Sequence, residues 1–302
     1  MTEKIFRMKF PATSANLGSG FDTAAVALDF YLKIEAQRAD EFSISANGCN
    51  AEICSKVENN LILETYRRLL VAQGRPVVPL TIQMQNEIPL GMGCGSSAAG
   101  RLAGIALAVH FGHLHWSSDR VLEEACALEG HPDNAAACWL GGFVAAAMNG
   151  SSVYAARVEP PSEWRAIVAY PAESLATATA RAVLPGNYSS EDVVINLQSV
   201  SILGLAFAQA RGDLLRVAMR DRIHQPYRSE LCGLLPQLLP LAGREGILGI
   251  ALSGAGPAVL AIVGAESETA GACELMHSAI SPARAHFCVS RFQPVGAAEL
   301  RG

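Results

Sequence analysis

A chain of mixed helix and strand in two domains is predicted by three observations. The 302 residues are half apolar and 17% charged, enough for two cored domains of roughly 150 residues each. Stretches that alternate like strands (25–36, 41–46, 79–84) are interleaved with helical ones (61–73, 96–110). A polar break, Asn149-Gly150-Ser151-Ser152, divides the chain into 1–152 and 153–302.

Taken in order, Phe6 to Phe10 reads as a short strand, and Pro11 to Gly20, rich in Pro, Ser, Asn and Gly, as irregular backbone carrying Asn16 and leading to Asp22. The alternation of Ala25–Ala36 and Glu41–Ala46 predicts strands of an antiparallel sheet. Leu61 to Gln73 is an amphipathic helix capped by Asn60 and stopped by Gly74, with Tyr66, Arg67 and Arg68 on a solvated face. Pro79 to Met84 is a strand, and the Ala/Leu-rich run from Ser96 to His110 a helix. Ser118 or Asp119 opens a further helix to Leu128, which delivers Glu129-Gly-His-Pro-Asp-Asn134. The apolar segment 135–148 that follows predicts partial burial of this polar cluster, where each polar group needs a partner. Trp164 to Tyr170 is a strand, and Val193 to Arg211 a long helix whose apolar residues on several faces predict burial. The 20 apolar residues from Gly246 to Ala265 have the length of a membrane span, but Ser253-Gly-Ala-Gly-Pro257 is turn chemistry. Two β-branched strands, 247–252 and 258–263, account for the run as a hairpin. Ser267 to Ser278 is a helix and His286 to Arg291 the last strand.

Composition excludes several functions. A net charge of −5 without a Lys/Arg-rich run gives no footprint for nucleic acid. The charged start MTEKIFR has no apolar leader region, and eight cysteines without a Cys-x-x-Cys pair read as reduced, mostly buried thiols. A cytoplasmic protein free of membrane is expected. His110, His113 and His115 lack a carboxylate close in sequence, which argues against a metal site there.

The most informative stretch joins the strand 79–84 to the helix 96–110 through Pro89-Leu-Gly-Met-Gly-Cys-Gly-Ser-Ser-Ala-Ala99. Glycines at 91, 93 and 95 leave no Cβ between the backbone amides and a ligand, and a helix N-terminus favours an anion. The residues alone leave open a nucleotide's phosphates or a plain glycine loop with a capping serine. No lysine follows Gly95, so this is not a Walker loop, and Ser96 occupies the third-glycine place of a dinucleotide fingerprint.

This loop resembles the phosphate loop of the GHMP kinase family, Pro-x-Gly-x-Gly-Leu-Gly-Ser-Ser-Ala, with Cys94 in place of Leu. Pro11-Ala-Thr-Ser-Ala-Asn-Leu-Gly-Ser-Gly-Phe-Asp22 resembles the signature of the homoserine kinases in that family, with Thr13 and Ser19 replacing Ser and Pro. Glu129–Asn134, Thr177 with Arg181, His224-Gln-Pro-Tyr-Arg228 and Ser253–Pro257 also look like homoserine kinase segments. The resemblance implies a two-domain GHMP kinase fold of the α+β class: an N-terminal α/β ATP-binding domain with a left-handed-type crossover at the phosphate loop, then a ferredoxin-like domain. It implies transfer of the ATP γ-phosphoryl group to the side-chain hydroxyl of L-homoserine, giving O-phospho-L-homoserine for threonine biosynthesis. ATP phosphates would rest on Pro89, Leu90, Gly91, Met92, Gly93, Cys94, Gly95, Ser96, Ser97, Ala98 and Ala99, with Mg²⁺ on Ser97 and Glu129. Arg181 and Arg228 would take the substrate carboxylate and Asp22 its ammonium, with Asn16, His131, Asp133 and Thr177 as further contacts. Asn134, Asp133 and Arg181 form the implied catalytic set, orienting the acceptor hydroxyl without a strong general base. A GHMP kinase for threonine or mevalonate, and a non-catalytic amino-acid or nucleotide sensor, remain alternatives, and a homodimer is left open.

Overall fold

The computed structural model describes residues 5–280 and 285–300; residues 1–4, on which the reading of a charged start partly rests, lie outside this range. The elements are β1 (Phe6–Asn16), β2 (Gly20–Arg38), β3 (Ser43–Gly48), α1 (Ala51–Cys54), α2 (Leu61–Ala72), β4 (Leu80–Asn86), α3 (Ser96–Phe111), α4 (Ser118–Glu129), α5 (Asp133–Leu140), β5 (Phe143–Asn149), β6 (Ser152–Val158) and β7 (Arg165–Tyr170). There follow α6 (Thr177–Ala182), α7 (Ser190–Ala208), α8 (Leu215–Ala218), α9 (Gln225–Arg228), α10 (Leu234–Leu238), β8 (Ile247–Leu252), β9 (Val259–Val263), α11 (Thr269–Ala279) and β10 (His286–Arg291).

The first sheet is built on β2, the longest strand at 19 residues. β1 pairs with most of its length, β4 with residues 32–38 and β5 with residues 24–26. Leu32, Ile34 and Ala36 face inward at a spacing of two, the period that buries one face of a strand. The second sheet runs β10-β7-β9-β8 with every pair antiparallel, the order of a ferredoxin-like unit. Ala166, Val168, Leu260 and Ile262 join the core of the first sheet, while Ile167, Ala169, Val259 and Ala261 pack towards α10 and α11. Phe207 of α7 stacks on Phe143 of β5 with centroids 4.3 Å apart, which pins the two layers together.

Several local expectations are corrected. Pro11–Asn16 is strand, not irregular loop: register shifts after Pro11 and after Ala15 let the proline sit in a bulge without losing the ladder. β3 pairs parallel to β4, because α1 and α2 form the crossover between them. Ser117, not Ser118 or Asp119, caps α4 by accepting from the Arg120 amide. Tyr66 is fully buried and donates to the Val78 carbonyl at 2.8 Å, leaving Arg68 exposed and Arg67 over the Phe42 ring. The turn 149–152 joins β5 to β6 inside the first sheet, so the change of sheet comes in 159–164.

α7 differs most from expectation. Only Ser199, Leu203, Ala206 and Phe207 are buried, whereas Val193, Val194, Leu197 and Leu205 stay exposed. Apolar residues all around a helix predict burial only if every face has a neighbour; here one face does. α7 is the one helix among the described residues long and apolar enough to cross a membrane. The 246–265 run is the expected hairpin, β8 and β9 about the Ser253–Pro257 turn.

Candidate active site

The turn from β4 into α3 is held by other elements through its carbonyl groups. Gly91 O accepts from Leu175 N, Met92 O from Ala258 N, and Cys94 O from Thr13 N, each at 3.1 Å, and Gly93 O from the Ser253 hydroxyl at 2.8 Å. Among the described residues, no hydrogen bond outside α3 uses the amides of residues 91–97. Such a row of N–H groups opening on a helix N-terminus is an anion cradle. Gly93 and Gly95 have φ of 83° and 73°, and an added Cβ would meet Ser253 O at 2.1 Å and Thr13 Oγ1 at 1.9 Å. Only glycine fits both positions.

A crevice of about 540 Å³ runs along this loop, lined by Leu90, Gly91, Gly93, Gly95 and Ser96 to Ala99. Pro89, Met92 and Cys94 do not line it: the chain alternates, turning their side chains into the core. Cys94 is 1% exposed, and burial pushes its thiol up to about 12. It is a packing residue of the loop.

Beside the first turn of α3, Ser97 Oγ donates to Glu129 Oε1 at 2.6 Å, and Arg101 Nε donates to the same oxygen at 2.6 Å. Arg101 was not among the sequence-predicted residues. Its place one turn after Ser97 is the only local signal for it. The donor set of one hydroxyl and one carboxylate at a helix N-terminus suits a hard cation such as Mg²⁺.

The far end of the crevice is a network of charged side chains. Arg181, on α6, grips Asp22 with two hydrogen bonds of 2.7 and 3.0 Å, so the residues expected to hold opposite ends of a zwitterion hold one another. His131 and Asp133, from the bend between α4 and α5, pair Nδ1 to Oδ1 at 2.5 Å, and the same Oδ1 accepts from the Asn134 amide at 2.7 Å. Burial alone would lower the His131 pKa; the Asp133 hydrogen bond and charge, with Asp22 and Glu129, outweigh it and raise it above the usual histidine value. Among the described residues, Asp22, His131 and Asp133 are the group whose ligand atoms converge closely enough for a metal, within 4.8 Å. The expected pair at Ser97 and Glu129 lies elsewhere along the crevice.

Arg228 is 1% exposed, the largest fully buried side chain among the described residues. It donates to Ala180 O at 3.0 Å and lies 5.3 Å above the Phe21 ring, with Arg181 5.6 Å from the same ring. No carboxylate pairs with it among the described residues. His224, also fully buried, links it to the turn between β1 and β2: Nε2–H donates to Gly18 O at 2.9 Å, which leaves Nδ1 to accept from Arg228 at 3.2 Å. That tautomer is neutral. Asn16 bridges the two layers, donating to Gly254 O at 2.7 Å while its Oδ1 accepts from the Asp22 amide. Its positive φ of 70° is one that Asn tolerates. Thr177 is exposed at the crevice wall and opens α6.

At the opposite end, beyond the phosphate loop, the crevice is walled by Ile53, Cys54, Asn59, Asn60, Leu61, Met84 and Ile88. As crevice-lining residues these too escaped the sequence reading, which gave Asn60 only as the cap of α2, a role it has. Asn60 closes this end by accepting from Ile62 N and Leu63 N and donating to Cys54 O. Apolar walls with a few amide groups suit a flat heterocycle.

Comparison with known proteins gives a consistent answer. Residues 60–142 match the family model "GHMP kinases N terminal domain" and 206–275 match "GHMP kinases C terminal". A homoserine kinase from Solibacter usitatus is 42% identical over 272 residues, 90% of this chain and 88% of the relative. One from Deinococcus radiodurans is 34% identical, covering 91% of this chain and 90% of the relative. The crystal structure of a homoserine kinase from Cytophaga hutchinsonii superposes with a TM-score of 0.83 over 98% of this chain and 97% of that one, at 23% identity, a likeness of fold.

Proposed function

The chain belongs to the homoserine kinases of the GHMP kinase family and phosphorylates the side-chain hydroxyl of L-homoserine with ATP; we propose that it does so in the crevice just described, with the following division of labour. The triphosphate lies along the amides of residues 91–97, with the adenine between Ile53, Leu61 and Ile88. Mg²⁺ held by Ser97 and Glu129 would neutralise charge on the β- and γ-phosphates; their two oxygens already stand 2.6 Å apart. Homoserine enters at the charged end, its carboxylate on Arg228 and Arg181 and its ammonium on Asp22.

The observation that carries this placement is Arg228. A guanidinium buried without a carboxylate partner is costly unless an anion joins it, and it opens on the crevice beside a second arginine. An amino acid's carboxylate answers that need, and its ammonium then replaces Arg181 at Asp22. The acceptor oxygen bonds to the γ-phosphorus as the bond to ADP breaks, and the hydroxyl proton passes to an oxygen of the transferred group. Asp133 is 1% exposed and its Oδ1 is held by His131 and by the Asn134 amide; in this division of labour Asn134 orients the acceptor hydroxyl and no strong base removes its proton. Eight free cysteines accord with a cytoplasmic location.

ADP release measured with Mg²⁺ and ATP across L-homoserine, L-threonine, mevalonate and homoserine methyl ester tests the assignment. Turnover is expected with homoserine, at least tenfold above threonine and mevalonate in kcat/KM. The ester, which lacks the carboxylate charge, is expected to raise KM steeply; an ester as good as homoserine would remove the arginines from the substrate site.

A further inference from the structure

Thr13 was read from the sequence only as a variant letter in a loop, yet the structure puts it where the two halves of the crevice meet. It is fully buried on β1. Its amide donates to Cys94 O at 3.1 Å, in the phosphate loop. Its hydroxyl donates to Asn134 Oδ1 at 2.6 Å, across 121 residues of sequence. Gly95 packs against the same hydroxyl so closely that a Cβ there would sit 1.9 Å from Thr13 Oγ1.

In this bond the Thr13 hydroxyl donates and Asn134 Oδ1 accepts, which turns the Nδ2 end of the side chain away from Thr13. With Oδ1 turned to Thr13, the Nδ2 group makes no hydrogen bond among the described residues and is free to donate into the crevice. We infer that Thr13 is a positioning residue: its hydroxyl holds the Asn134 amide with the donor end towards the acceptor oxygen, while its backbone fixes that amide's distance from the phosphate loop. Phosphoryl transfer depends on an in-line approach of acceptor to phosphorus, and small misplacements of a positioned group cost rate more than affinity. The inference rests on the proposed role of Asn134 and deepens it.

Steady-state kinetics of Thr13→Val, Thr13→Ser, Asn134→Ala and the Thr13→Val/Asn134→Ala double variant test it. Thr13→Val keeps the shape and removes the hydroxyl; kcat is expected to fall ten- to a hundredfold, with the KM values for homoserine and ATP within threefold of wild type. Thr13→Ser, which restores the donor, is expected to recover kcat to within threefold. In the Asn134→Ala background Thr13→Val is expected to cost less than twofold, since the amide it orients is gone. A Thr13→Val effect that persists undiminished in that background, or that appears in KM, overturns the inference and leaves the reading of Asn134 standing. An undiminished kcat in Asn134→Ala alone overturns that reading and the inference with it. If Thr13→Val does not fold at the assay temperature, Thr13→Ala takes its place in the cycle; a loss in Thr13→Ser as large as in Thr13→Ala then overturns the inference.

Discussion

The two ends of the crevice are made of different material. The phosphate end is backbone: glycines at positive φ, free amides and a helix terminus, with side chains such as Met92 and Cys94 turned away. The acceptor end is side chain: Asp22 with Arg181, His131 with Asp133, Arg228 with His224. Backbone cannot be re-paired, so the first end is the fixed one, and on the proposed reading it would take a part common to every nucleotide. Side chains can exchange partners: at the second end Asp22 and Arg181 neutralise one another while Arg228 has no carboxylate, and on the proposed reading a zwitterion would re-pair all three.

The largest test of this contrast is Arg228→Ala. Losing a buried, charge-assisted contact costs about 2–5 kcal/mol, so the homoserine KM is expected to rise at least thirtyfold while the ATP KM stays within threefold. Arg181, whose side chain is 38% exposed, is expected to give the smaller rise. Equal effects on both substrates would mean that the two ends are not separable.

Gly95→Ala probes the backbone end. A residue with a Cβ in the left-handed region loses about 1–2 kcal/mol, and overpacking against Thr13 adds about 1–3 kcal/mol. The thermal midpoint is expected to drop by several degrees and the ATP KM to rise tenfold or more, with homoserine binding affected less. A neutral substitution would show that the loop gives way, contrary to its four clamped carbonyls.

Much of the backbone end was legible in the sequence because its chemistry is local. Gly91, Gly93, Gly95 and the two serines lie within seven residues, and strand, turn and helix each carry their own pattern. The acceptor end was recognised only through resemblance, since Asp22 and Arg181 stand 159 residues apart and no spacing rule joins them. The apolar wall of the crevice was missed for a related reason: Ile53 or Leu61 facing a cavity reads like Ile or Leu facing a core. Tyr66 was misplaced because two arginines follow it, although its position among Ile62, Leu63, Leu69 and Leu70 puts it on the buried side of α2. α7 was misread in the opposite sense, because apolar letters do not say which faces find a neighbour.

Asp22→Asn sharpens the contrast with a smaller effect. The Asp22–Arg181 pair is about one-third exposed on each side, so its loss is expected to change stability by no more than about 1 kcal/mol. The homoserine KM is expected to rise tenfold or somewhat more, the lower end of the scale of about 1.5–3 kcal/mol for a charged hydrogen bond. A large fall in the thermal midpoint with unchanged KM would make the pair structural and remove Asp22 from ammonium binding.

The smallest effect separates the surface of the acceptor end from the layer beneath it. His131 faces the crevice and has a raised pKa, so it contributes stability that is complete below the unfolded value of about 6.5 and is lost as pH rises through its folded pKa. His224 lies under Arg228 with a lowered pKa: burial is the main cause, and the Arg228 charge adds to it against the opposing pull of Asp221. Below about 6.5 the unfolded chain binds a proton there that the native protein refuses, so stability is lost as pH falls. The two histidines therefore oppose one another on the acid side. In urea unfolding between pH 5 and 8, His224→Asn is expected to flatten the acid loss of stability and His131→Asn to steepen it. Equal slopes in the two variants would mean that the crevice face and its underlayer titrate alike, and the distinction between a re-pairable surface and a fixed support would not hold at this end of the molecule.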